Sequence, residues 1–154
     1  QNSKSGYEMK TIALGSDHAG FSLKEFISSY LKENGYEIVD YGAFSEESVD
    51  YPYFARKVAN AVAEHSADCG ILFCGTGIGV SIAANKVKGI RAALVYNSET
   101  AALAKQHNDA NIICLGARFI APYYAQKIVE SYLTATFEGG KHQKRLDKIE
   151  KDDE

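Results

Sequence analysis

Short apolar runs of strand length alternate along this chain with longer stretches whose apolar residues recur at helical spacing. Thr11-Ile12-Ala13-Leu14 reads as a buried strand. Ser22 and Glu25 then make a capping-box pattern ahead of Leu23, Phe26, Ile27, Tyr30 and Leu31, which share one helical face. Gly35 ends that helix, and 36–40 is a second strand. A polar loop over 42–50 follows, and Pro52 suits the first turn of a helix running to about His65. Cys69 to Phe73 is a third strand, and a small-residue helix is expected from Val80 to about Val87. Strands at 90–95 and 111–115 flank a short helix over 99–106. Pro122 opens a helix to about Phe137, and Gly139-Gly140 breaks it before a charged terminal helix. Five strands alternating with helices predict a single α/β domain, a parallel sheet covered on both faces as a three-layer α/β/α sandwich.

The chain has 154 residues, 17 basic and 20 acidic, for a net charge of −3. One domain is the default at this length, and 45% hydrophobic with 24% charged residues argues against disorder. The acidic balance speaks against nucleic acid as a partner, because phosphate backbones demand a basic face. No apolar run approaches the roughly 18 residues of a membrane span, so no membrane partner is expected. Cys69, Cys74 and Cys114 are an odd number without zinc-type spacing, which favours a reducing, cytoplasmic setting. Residues 1–8 precede the only methionine, Met9, and read as a leader or expression remnant.

Parallel α/β sheets bind ligands beyond the carboxyl ends of their strands. If strands 1 and 3 are neighbours, Gly15-Ser16-Asp17-His18-Ala19-Gly20 and Cys74-Gly75-Thr76-Gly77-Ile78-Gly79 converge there. The second segment is either a tight strand-to-helix turn or a nest of backbone N–H groups for an anion. It is not a Walker loop, since no Gly-Lys-Ser/Thr follows; a dinucleotide fingerprint stays open, though Cys74 begins the segment and no acidic residue lies at the expected strand end after it. Cys74 at the nest and near a helix N-terminus is expected to have a larger thiolate fraction, whereas Cys69 and Cys114 suit the core. A cysteine phosphatase would place arginine where Val80 stands. His18 and His107 sit at strand-edge loops, while His65 suits an ordinary helix end. The 139–145 segment is either a solvated charged face or a clamp for an anion, and Arg118 is a further phosphate candidate. Thiolate base, backbone oxyanion donors, imidazoles and a phosphate clamp together suit proton abstraction beside a carbonyl, without a metal or other cofactor.

These segments resemble the ribose-5-phosphate isomerase type B family. The resemblance rests on 15–20, Asp50-Tyr51-Pro52, 74–79 with Ala83-Ala84-Asn85-Lys86, Gln106-His107-Asn108-Asp109 and 139–145, in order across a 9–150 sugar-phosphate isomerase domain. It implies strand order 2-1-3-5-4 and metal-free interconversion of ribose 5-phosphate and ribulose 5-phosphate in the non-oxidative pentose phosphate pathway. Cys74 would move a proton between C2 and C1. The backbone of Gly75, Thr76, Gly77, Ile78, Gly79 and Val80 would hold the enediolate. His107, with Asp17 nearby, would open the furanose ring. Asn108 and Tyr51 would contact sugar hydroxyls, and His18, Arg118, Lys141, His142 and Arg145 would surround the phosphate. Members form homodimers, sometimes tetramers, with each site completed by the partner subunit. Some members use a glutamate at the position of Val80 instead of the cysteine, so this chain resembles the thiol-base branch. Many carry arginine where this chain has Lys141. The same chemistry on a hexose 6-phosphate, of allose or galactose, and a non-catalytic sugar-phosphate sensor are the competing readings.

Overall fold

A computed structural model describes residues 10–151; the expected leader at 1–8 lies outside the described residues. The elements run β1 (Thr11–Ser16), α1 (Phe21–Glu33), β2 (Glu37–Asp40), α2 (Tyr51–Ala63), β3 (Cys69–Cys74), α3 (Ile78–Ala84), β4 (Ala92–Leu94), α4 (Ser98–Asn108), β5 (Ile112–Gly116), α5 (Pro122–Leu133) and α6 (Lys141–Ile149). All the strand pairings are parallel, in the order β2-β1-β3-β5-β4. That is the order the resemblance implied. Periodicity alone had no means of ordering β4 and β5.

Strand side chains alternate between faces, and the two buried clusters follow that alternation. Ile12, Leu14, Ile71, Phe73, Ile113 and Leu115 pack beneath α1, α4 and α5. Ala13, Leu72, Cys74, Ile112 and Cys114 pack beneath α2 and α3. The α2 face lies close to the sheet because Gly15 and Gly70 present no side chain there. A Cβ at either would stand 2.7 Å from a Val58 methyl. No helix among the described residues is long and apolar enough to cross a membrane.

Several boundaries differ from expectation, each for a local reason. The Ser22/Glu25 capping box does not form. Helix α1 starts at Phe21 behind Gly20, and the Ser22 hydroxyl donates to Glu46 at 2.8 Å instead. Helix α3 begins at Ile78 rather than Val80, because Gly77 takes a left-handed conformation at φ 80° and turns the chain at once. Strand β4 is shorter than 90–95. The Arg91 N–H goes to the Asn111 side chain, and the Asn85 amide brackets Ala92 from both sides, occupying an otherwise open edge. Helix α5 stops at Leu133, where the Thr134 hydroxyl bonds back to the Glu130 carbonyl.

One buried charge ties the carboxyl edge together. Lys24 on α1 is fully buried, and its Nζ donates to Asp40 at 2.6 Å and Glu25 at 3.4 Å, between the rings of Phe21 and Phe44. The other Asp40 oxygen accepts from the Gly42 N–H at 2.9 Å. Gly42 and Ala43 in turn exchange backbone bonds with Ser16 at 2.7 and 2.8 Å. The ion pair thus joins α1, the end of β2 and the root of the 42–50 loop to the end of β1. Breaking such a pair leaves a charge unmatched, so Lys24→Met should lower stability by about 3–5 kcal/mol in urea unfolding. Lys24→Met/Asp40→Asn should recover part of that loss. A single variant within about 0.5 kcal/mol of wild type would contradict this role.

Candidate active site

Strands β1 and β3 pair directly, with Ser16 opposite Phe73, so the segments that follow them meet at the carboxyl edge. Cys74 is the last residue of β3 and is buried, with only 5% of its surface exposed. The Gly77 N–H points back at its sulfur, 3.2 Å away. The Ile78 N–H goes to the Thr76 hydroxyl at 3.1 Å. Gly79 and Val80 follow in the first turn of α3, where backbone N–H groups lie ahead of the i−4 ladder. The Val80 side chain itself is in the core. This turn offers a sulfur with a donor already aimed at it and further backbone N–H groups beside it, the arrangement of an oxyanion cradle next to a nucleophile or base.

Neighbouring side chains close over the turn. The Arg118 N–H donates to the Gly75 carbonyl at 3.0 Å, and its guanidinium lies against Gly75, where a Cβ would stand 2.8 Å from Nη1. The Tyr51 ring lies against Gly79 in the same manner, at 2.6 Å. The Asp17 carboxylate accepts from the Gly20 N–H at 3.0 Å, and the His18 Nδ1 accepts from the Val49 N–H at 3.1 Å. That last bond fastens the 42–50 loop to the end of β1. Sequence reasoning missed Tyr96, whose hydroxyl donates to the Thr76 carbonyl and holds the outer side of the turn. A tyrosine directly after an apolar run at a carboxyl edge was the available signal.

The other two cysteines lie within strands β3 and β5. Burial pushes the Cys69 thiol up to about 11 and the Cys114 thiol higher still, with Cys74 adding to the latter. Both stay protonated at neutral pH, so they act as small core residues.

The remaining candidates gather elsewhere. His107 and Asn108 end α4, and Lys141, His142 and Arg145 lie on α6. Arg91 Nε, just before β4, donates to the carbonyls of Asn108 and Asp109, and the Asn111 carbonyl accepts from Gly70 N–H at the start of β3. All of these mark the amino edge of the sheet. Gly70 pairs with Ile112 and Cys74 with Gly116, so four residues of strand, roughly 13 Å, separate the two levels. Asp17 and His107 therefore stand at opposite edges within one chain, because the β4–α4–β5 crossover returns the chain to the amino edge. A cavity of about 590 Å³ between the 85–93 segment and α6 also lies at this amino edge, away from Cys74.

At the amino edge His107 and His142 stack, ring centres 4.2 Å apart and planes 10° from parallel. The same Glu138 oxygen stands 3.7 Å from His107 Nε2 and 3.5 Å from His142 Nε2. Glu138 was not singled out from sequence, where it is one acid among many beside a Gly-Gly break.

Residues 12–149 match the pattern of the family described as Ribose/Galactose Isomerase. The chain is 49% identical over 141 residues to ribose-5-phosphate isomerase B of Escherichia coli (strain K12), covering 92% of this chain and 95% of that one. Its structure resembles that of Clostridium thermocellum ribose-5-phosphate isomerase B with a TM-score of 0.90 and 52% identity, over 90% of this chain and 94% of the other. It also resembles ribose-5-phosphate isomerase B from Mycoplasma genitalium with bound ribulose-5-phosphate, with a TM-score of 0.88 and 50% identity, over 92% and 95% of the two chains.

Proposed function

This chain belongs to the ribose/galactose isomerase family, and from that premise we propose that it interconverts ribose 5-phosphate and ribulose 5-phosphate with Cys74 as the base. The observation that carries the chemistry is the Gly77 N–H at 3.2 Å from the Cys74 sulfur, inside a turn rich in backbone donors. The thiolate takes the C2 proton of the open-chain aldose, and the electron pair moves toward C1 and its oxygen. The N–H groups between Gly75 and Val80 hold the enediolate charge, as preorganised donors aimed at where that charge develops. Return of the proton to C1, with the O2 hydroxyl proton passing to O1, gives the ketose. Tyr51 contacts sugar hydroxyls, while His18 and Arg118 face the phosphate. The three free cysteines fit a reducing compartment, and we place the enzyme in the cytoplasm.

The roles left over belong to a second copy of the chain. His107 for ring opening, Asn108 for a sugar hydroxyl, and Lys141, His142 and Arg145 for phosphate all stand at the amino edge, and Cys74 at the carboxyl edge. A two-fold dimer brings the amino edge of one protomer over the carboxyl edge of the other and makes two equal composite sites. Each site then combines the base of one protomer with the ring-opening imidazole and phosphate clamp of its partner.

The thiol-base role is tested by NMR of ribose 5-phosphate in D₂O. Wild-type enzyme should form ribulose 5-phosphate and incorporate deuterium. Cys74→Ala should lower both rates by about 10²–10⁴-fold with its fold intact. Wild-type exchange in that variant would remove Cys74 from the reaction; absence of exchange in the wild type, with turnover of allose or galactose 6-phosphate, would move the substrate to a hexose. Subunit sharing is tested by mixing. Cys74→Ala and His107→Asn should each be strongly impaired alone, yet co-refolded at equal amounts they should regain about one quarter of wild-type activity, since about half the dimers are mixed and each holds one intact site of two. No recovery in verified mixed dimers would confine the site to one chain.

A further inference from the structure

The His107–Glu138–His142 cluster has a second use that sugar chemistry does not require. We infer that these three side chains form a binding site for a divalent transition-metal ion of the Zn²⁺ type, and that its occupancy inhibits the enzyme. Their candidate ligand atoms all lie within 4.8 Å of one another. The Glu138 oxygen is 3.7 Å from His107 Nε2 and 3.5 Å from His142 Nε2. A tetrahedral zinc ion with ligands at about 2.0–2.1 Å keeps neighbouring donors roughly 3.3–3.4 Å apart. The carboxylate is already within a few tenths of an ångström of that spacing from each imidazole; the two rings, stacked 4.2 Å apart and 10° from parallel, rotate out of their stack so that both in-plane lone pairs meet on one ion.

The backbone beneath the cluster is already fixed. His107 sits in the last turn of α4 and His142 in the first turn of α6. The Glu138 N–H donates to the Gln106 carbonyl at 3.0 Å, and the His142 N–H donates to the Gly139 carbonyl at 3.0 Å. In the single chain the His107 and Glu138 side chains are 42% and 52% exposed, and the opening that admits substrate to the composite site admits an ion and a water at its fourth position. Two imidazoles and one carboxylate select zinc, nickel or copper over magnesium and calcium, which prefer all-oxygen sets.

The inhibitory effect rests on the isomerase function proposed above. An ion held here takes the His107 lone pair needed for ring opening and the His142 edge that faces phosphate. The ion is an inhibitor and takes no part in turnover.

Zinc titration into Cys74→Ala, followed by calorimetry, tests the site without the thiol and without activity. One ion per chain should bind with micromolar affinity. Cys74→Ala/Glu138→Gln, a nearly isosteric change, should bind at least about tenfold more weakly. With wild-type enzyme, added Zn²⁺ should suppress turnover competitively with substrate, and chelator should restore it. Glu138→Gln should need at least about tenfold more zinc for the same fractional loss of its own activity. No binding by Cys74→Ala, or equal binding by the Glu138→Gln pair, would overturn the metal site. Binding without inhibition would overturn its effect on the reaction. Failure of the isomerase function itself would appear separately, as no turnover before any zinc is added.

Discussion

All five strands point the same way, and that shared polarity decides what each loop reaches. Every segment that leaves a strand emerges at the carboxyl edge, and every segment that enters one arrives at the amino edge. Asp17, His18, Tyr51, the 74–79 turn and Arg118 all leave strands or open the next helix, so they meet around Cys74. His107 and Asn108 end α4 on the way into β5, and α6 packs near them. The groups proposed for catalysis are therefore divided between two edges of one chain by topology, which is why the proposed site calls on a second copy.

The turn after β3 depends on small residues at close quarters. Gly77 supplies the left-handed step that starts α3 one residue later, and so aims its own N–H at the Cys74 sulfur. Gly75 and Gly79 leave room for the Arg118 guanidinium and the Tyr51 ring. The buried Lys24–Asp40 pair performs a related task at distance. It anchors the root of the 42–50 loop, whose far end meets His18 through Val49. Desolvating that lysine is costly unless its partners stay in place, which ties the geometry of the carboxyl edge to the packing of α1.

Much of this was legible in the chain. The β-α alternation, the burial of Cys69 and Cys114, and the convergence of 15–20 with 74–79 follow from hydrophobic period and from the behaviour of parallel sheets. The capping box at Ser22 was misleading because Gly20 and the Glu46 side chain offered the local groups better partners. That Asp17 and His107 stand at opposite edges of one chain was not legible, because sequence reports which residues carry chemistry but not which sheet edge they face. Tyr96 and Glu138 were overlooked for the same reason: each acquires meaning only from a contact made across distant sequence.

A crystal structure of Cys74→Ser with ribulose 5-phosphate tests the shared site most directly. The mechanism proposed here predicts C1 and C2 of the sugar against residue 74 of one protomer, with the phosphate held by His142 and Arg145 of its partner. A ligand bound wholly by one chain, or seated away from residue 74, would contradict it.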